Sequence, residues 1–62
     1  MKPFIFNHWH CWESNGKILL SDESVKKLRY FKNTDDCINF LWLEGHKDAA
    51  RALNNHVRGQ TK

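Results

Sequence analysis

The sequence has no long apolar run, few cysteines and no internal repeat, low-complexity stretch or domain linker. No segment approaches the roughly 20 apolar residues of a membrane span, so no membrane association is expected. The first residues also lack the apolar run of a secretory signal. Two cysteines, Cys11 and Cys37, are too few for a disulfide scaffold. Without a secretory signal, a reducing cytoplasm is the expected setting, where both would act as small buried hydrophobes. Ligand pairs of the C-x2-C kind are absent, and neither a metal nor another cofactor is expected. The chain therefore reads as a single small domain, 1–62. A domain of this size buries only about 60% of the surface its unfolded chain exposes. Disulfides, a metal or a second subunit usually make up the shortfall, and a homodimer is the expected form here.

Ten Lys and Arg against seven Asp and Glu give a net charge of +3, a modest excess compatible with nucleic acid but not diagnostic of it. Three tryptophans in 62 residues are more informative. Each carries a large apolar face that a core or a partner must cover.

The stretch "FIFNHWHCWESNGKILL" has β-branched and aromatic character, and Asn15-Gly16 is the pair favoured in two-residue hairpin turns. It predicts a β-hairpin over 4–20, with strands Phe4 to Glu13 and Lys17 to Leu20. In "SDES", Ser21 is a good N-cap and Asp22 and Glu23 suit a helix N-terminus. This predicts a first helix over about 22–32 with Val25, Leu28 and Phe31 inward. Asn33 or Thr34 caps a second helix over about 34–44, with Gly45 as its C′ residue. A third, over about 46–57, gathers Ala49, Ala50, Leu53 and Val57 on one side. Such small residues permit close approach to the apolar second helix. "GQTK" reads as a frayed tail. The fold class is thus α+β, an N-terminal hairpin packed against two or three short helices. The expected core is Ile5, Trp9, Leu20, Val25, Leu28, Ile38, Leu41 and Leu53.

A two-residue turn at Asn15-Gly16 sets Trp12 opposite Leu19, Cys11 opposite Leu20 and Glu13 opposite Ile18. One hairpin face then holds Ile5, Trp9, Cys11, Ile18 and Leu20, and the other Phe4, Phe6, His8, His10, Trp12 and Leu19. Neither resembles an ordinary wet face, so both are expected to be covered. Three short helices cover one side. The other, with Phe4, Phe6, His8, His10 and Trp12, becomes a candidate contact surface for a second copy or an unidentified protein partner. The second helix, "CINFLWLE", has almost no polar side, and Phe40 and Trp42 join the candidate contact residues.

Other chemistries have weaker support. His8 and His10 point the same way on one strand, which is half a zinc site, yet no further ligand is placed by spacing. His10 and Cys11 are adjacent, so on a strand they face opposite sides and the imidazole is poorly placed to activate the thiol. The protein is not expected to be an enzyme. "KKLRYFK" packs Lys26, Lys27, Arg29 and Lys32 around two aromatics, a composition able to neutralise phosphates and stack on bases. The alternative function is accordingly a sequence-tolerant DNA- or RNA-binding regulator using a basic first helix.

"DAARALNNHVRGQTK" is similar to the start of a helix-turn-helix, but too few residues follow Asn54-Asn55 for a recognition helix. The alanines therefore read as a packing face. The compact chain and its segment "LWLEGHKDAARALNNHVRG" resemble the small early-region accessory proteins of lambdoid bacteriophages. That resemblance implies a small regulator that binds host or phage components rather than doing chemistry.

Overall fold

The computed structural model describes residues 2–59. Its elements run β1 (Phe4–Phe6), β2 (Trp9–Ser14), β3 (Lys17–Asp22), β4 (Lys27–Phe31), α1 (Thr34–Leu43) and α2 (Lys47–Gly59). The four strands form an antiparallel meander in the order β1-β2-β3-β4. Both helices pack on one face of this sheet, α2 near β1 and α1 over β3 and β4. The α+β class and the hairpin hold. The frayed tail expected at the end of the chain lies, beyond Gly59, outside the described residues.

The central hairpin follows the expected register, with Cys11 opposite Leu20, Trp12 opposite Leu19 and Glu13 opposite Ile18. Asn15 and Gly16 both have positive φ, 53° and 77°, the twist that a two-residue turn needs to match its strands. Helix α1 also starts and stops where its caps direct. Asn33 Oδ1 accepts a 2.8 Å hydrogen bond from the Asp36 amide at the start of α1. At its end Gly45 takes φ 86°, its amide donates to the Trp42 carbonyl, and the His46 amide donates to Leu41. This paired arrangement satisfies two carbonyls of the last turn.

Two expectations are corrected. The strand expected from Phe4 to Glu13 is broken by a tight turn at Asn7-His8, with Asn7 at φ 53°. Phe6 then pairs with Trp9, Ile5 with His10 and Phe4 with Cys11. Folding back reverses the parity, so Phe4 and Phe6 share the inner face with Trp9 and Cys11. The helix expected over about 22–32 is instead a turn and strand β4. Asp22 Oδ1 accepts hydrogen bonds from the Ser24 amide and hydroxyl, so its side chain closes a turn by the chemistry that would otherwise cap a helix. Beyond that turn, Lys27 pairs with Asp22, Arg29 with Leu20 and Phe31 with Ile18. Tyr and Phe, poor helix formers beside a sheet edge, complete the sheet as a fourth strand.

The core lies between the sheet's inner face and the helices. It joins Phe4, Trp9, Cys11, Ile18 and Leu20 to Cys37, Ile38, Leu41, Ala49, Ala50 and Leu53. Of the expected core, Trp9, Leu20, Ile38, Leu41 and Leu53 are buried, whereas Ile5, Val25 and Leu28 are exposed. The alanines of α2 pack as expected, both of them buried.

Candidate functional site: the open face of the sheet

Because side chains alternate along each strand, the residues between the core-facing ones form a second, uncovered face. The pairings string them into two rows across the sheet. One row is Ile5, His10, Ser21 and Leu28, and the other is Trp12, Leu19 and Tyr30. No helix covers them. Ile5 is 71% exposed, Tyr30 63% and Leu28 43%. An antiparallel sheet with one wet side should carry polar residues there, and this one carries aliphatic and aromatic groups instead.

Local chemistry shapes the face. The His10 and Trp12 rings lie 4.8 Å apart between centroids, so each limits the other's rotation. The Ser21 hydroxyl donates to a Glu23 carboxylate oxygen, drawing that carboxylate against the sheet. Ser14, Asn15, Lys17, Leu19 and Tyr30 line a groove of about 430 Å³ at the hairpin end.

The residues singled out from sequence are dispersed. His10 and Trp12 lie on the open face as expected. Phe4 is buried and Phe6 half-buried, with the two rings stacked 6.4 Å apart on the helix side of the sheet, so neither belongs to the open face. His8 sits at the β1–β2 turn, 4.9 Å from the Trp9 ring and with Nε2 3.8 Å from Asp22. Phe40 lies on the helix side, packed 5.5 Å from Phe31 and beneath the Arg29 guanidinium at 4.6 Å. Trp42 is exposed on α1, remote from the sheet's open side. The basic cluster divides as well. Lys27 and Arg29 alternate onto the helix side with Asp22 and Leu20, Lys26 belongs to the β3–β4 turn and Lys32 follows β4. The helix that would have gathered them on one solvent face is absent from 27–31.

Sequence reasoning overlooked Ile5, Leu28 and Tyr30 as surface groups. The available signals were Asn7, tolerant of positive φ, and the alternation in "KLRYF", with Leu28 and Tyr30 on one parity.

The two thiols lie in the core, away from this face. Cys11 and Cys37 are free, fully buried and hydrogen-bonded to each other. That bond, then burial, pushes the Cys37 thiol well above its ordinary pKa. Among the described residues no group of three or more His, Cys, Asp or Glu could hold a metal ion. Nor is any described helix long and apolar enough to cross a membrane. No protein-family model matches the chain, and no curated protein or solved structure matches it.

Proposed function

We propose that this chain is a non-enzymatic interaction module, a small accessory regulator that binds a protein surface through the open face of its sheet. The observation that carries this reading is the uncovered pair of rows, in which Ile5, Leu28 and Tyr30 are large hydrophobic side chains left exposed. Apolar surface of this kind marks contact sites. Burying each such side chain is worth roughly 1.5–3 kcal/mol, less whatever is already covered.

Burial of the only two thiols supports a binding role over a catalytic one, since a substrate cannot reach Cys11 without opening the core. Their free state suits a reducing compartment, and the cytoplasm is the proposed site of action. A role in binding accords with what the resemblance to phage accessory proteins implies.

The test compares wild type with a Trp12→Ser, Tyr30→Ser double variant whose circular dichroism and melting are unchanged. Wild type should retain protein, either its own second copy or a component of a source-cell lysate, that the double variant loses. Equal retention by both proteins contradicts the proposal.

A further inference from the structure

We infer that the outer edge of β4 takes up an extended strand of a partner protein in which acidic and apolar residues alternate. This rests on the reading of the chain as a protein-binding module, and it places backbone pairing at the edge beside the open face.

The sheet ends in two unlike edges. β1 spans only Phe4–Phe6 and packs against α2, whereas β4 spans Lys27–Phe31 and, among the described residues, no strand lies beyond it. Which backbone groups face that edge follows from the hairpin turn. Ser14 and Lys17 close a two-residue turn, so their amides and carbonyls bond to each other, and every second residue along β3 repeats that direction. Lys17, Leu19 and Ser21 therefore bond β2, a direction continued by the Glu23 amide, which donates to the His8 carbonyl at 2.8 Å. Ile18, Leu20 and Asp22 bond β4 at their partners Phe31, Arg29 and Lys27. The amides and carbonyls of Leu28 and Tyr30 are left pointing outward. An unpaired row of this kind is a template for another strand.

The side chains along the edge select the strand that fits. Lys26, Lys27, Arg29 and Lys32 lie on β4 or at its ends, and among the described residues none of them forms an ion pair. The Arg29 guanidinium is held 4.6 Å from the centre of the Phe40 ring, a fixed cation beside the edge. Asp22 and Glu44 line the same cavity of about 250 Å³ as Lys27 and Arg29. The Asp22 carboxylate is bonded to Ser24, and neither carboxylate reaches ion-pair distance of those two cations. On an antiparallel strand added about 4.8 Å away, residues opposite Lys27 and Arg29 project to the helix side, where carboxylates meet the cations. Residues opposite Leu28 and Tyr30 project to the open side, where apolar groups extend its two rows.

The same features argue against two other occupants. Pairing β4 with β4 of a second copy would bring two sets of these cations together, which like-charge repulsion opposes. A nucleic-acid strand would meet the cations, but phosphates accept hydrogen bonds without donating them and offer nothing to the Leu28 and Tyr30 carbonyls.

The probes are two synthetic peptides with blocked ends, one alternating glutamate with valine and the other lysine with valine, added to the full chain and followed by amide NMR. One strand on one edge buries less than the ~1,200 Å² below which interfaces are weak and transient, so binding in fast exchange is expected. The glutamate peptide should slow hydrogen exchange at Leu28 and Tyr30, while Lys27 and Arg29, already bonded to β3, keep the protection they have. N-methylation of its valine amides should abolish that slowing. Lys27→Glu should weaken the glutamate peptide about tenfold and strengthen the lysine peptide. Arg29→Glu should act in the same direction, with both folds checked by circular dichroism, and Leu43→Glu on α1 should change neither. Equal binding of the two peptides by wild type, or binding of the glutamate peptide without protection at Leu28 and Tyr30, overturns the inference. So does an oligothymidylate that binds more tightly than the glutamate peptide, with steep salt dependence. Failure of both peptides, with lysate capture still lost in the Trp12→Ser, Tyr30→Ser variant, overturns the edge alone and leaves the proposed function standing. Failure of both peptides together with equal capture by wild type and variant overturns both.

Discussion

Truncating two leucines separates the observed fold from the helical alternative for residues 22–32. Leu20 lies on the inner face of β3 and is fully buried, whereas Leu28 lies on the outer face of β4 and is 43% exposed. Leu20→Ala removes a side chain surrounded by the core and leaves a cavity that β3 and α1 cannot close without moving together. The cost is about 3–4 kcal/mol, within the usual range for such changes. For 62 residues a total stability of about 3–9 kcal/mol is typical, so the variant is at or near the edge of folding. Leu28→Ala loses only partial contacts on the open face and opens no internal cavity, so it should cost less than about 1 kcal/mol. Urea unfolding followed by tryptophan fluorescence, at a concentration low enough to keep the chain monomeric, measures both. Equal losses of several kcal/mol would refute the placement of Leu28 outside the core and restore an inward helix.

Three further outcomes follow from single groups. Gly45→Ala should cost about 1 kcal/mol, because its φ of 86° disfavours any Cβ while nothing lies within 4 Å to obstruct one; thermal melts of Gly45→Ala and the milder Gly45→Asn check it. Asp22 has its carboxyl pKa lowered, first by the Ser24 hydroxyl hydrogen bond and less by the His8 charge. Its contribution to stability is therefore present above the ordinary aspartate pKa of about 4 and lost as pH falls through the lower folded value. Ser24→Ala should raise the Asp22 midpoint in a carboxyl NMR titration, and an unmoved midpoint contradicts the assignment. Cys11 and Cys37 should react with a thiol reagent only as fast as the core opens, with labelling accelerating in urea; rapid labelling of the native protein would show that the pair is not enclosed.

What the sequence made legible was whatever depends on neighbours in the chain. Asn15-Gly16 specifies its own turn and hence the pairing of Cys11 with Leu20, and Asn33 and Gly45 bound α1 through backbone bonds only a few residues long. The misread features depend on competition between similar local signals. "SDES" offers side-chain oxygens that serve a helix cap and an Asx turn equally well, and the choice is made by Phe31 finding Ile18 across the sheet. Asn7-His8 carries no glycine, so the break in the first strand was hidden. One unrecognised two-residue turn moved Phe4 into the core and Phe6 onto the helix side of the sheet. His10 and Trp12 stayed on the contact face because their parity follows from the Asn15-Gly16 turn, which was read correctly.

The central claim is that the open sheet face is where this protein meets a partner, and mapping backbone amide shifts by NMR, across a dilution series and on addition of the captured protein, tests it most directly. Shifts that follow concentration or the added protein are expected at His10, Trp12, Leu19, Ser21, Leu28 and Tyr30, with the amides of α2 unmoved. Shifts centred on Trp42 and Leu43 of α1, with the sheet amides constant, would contradict it.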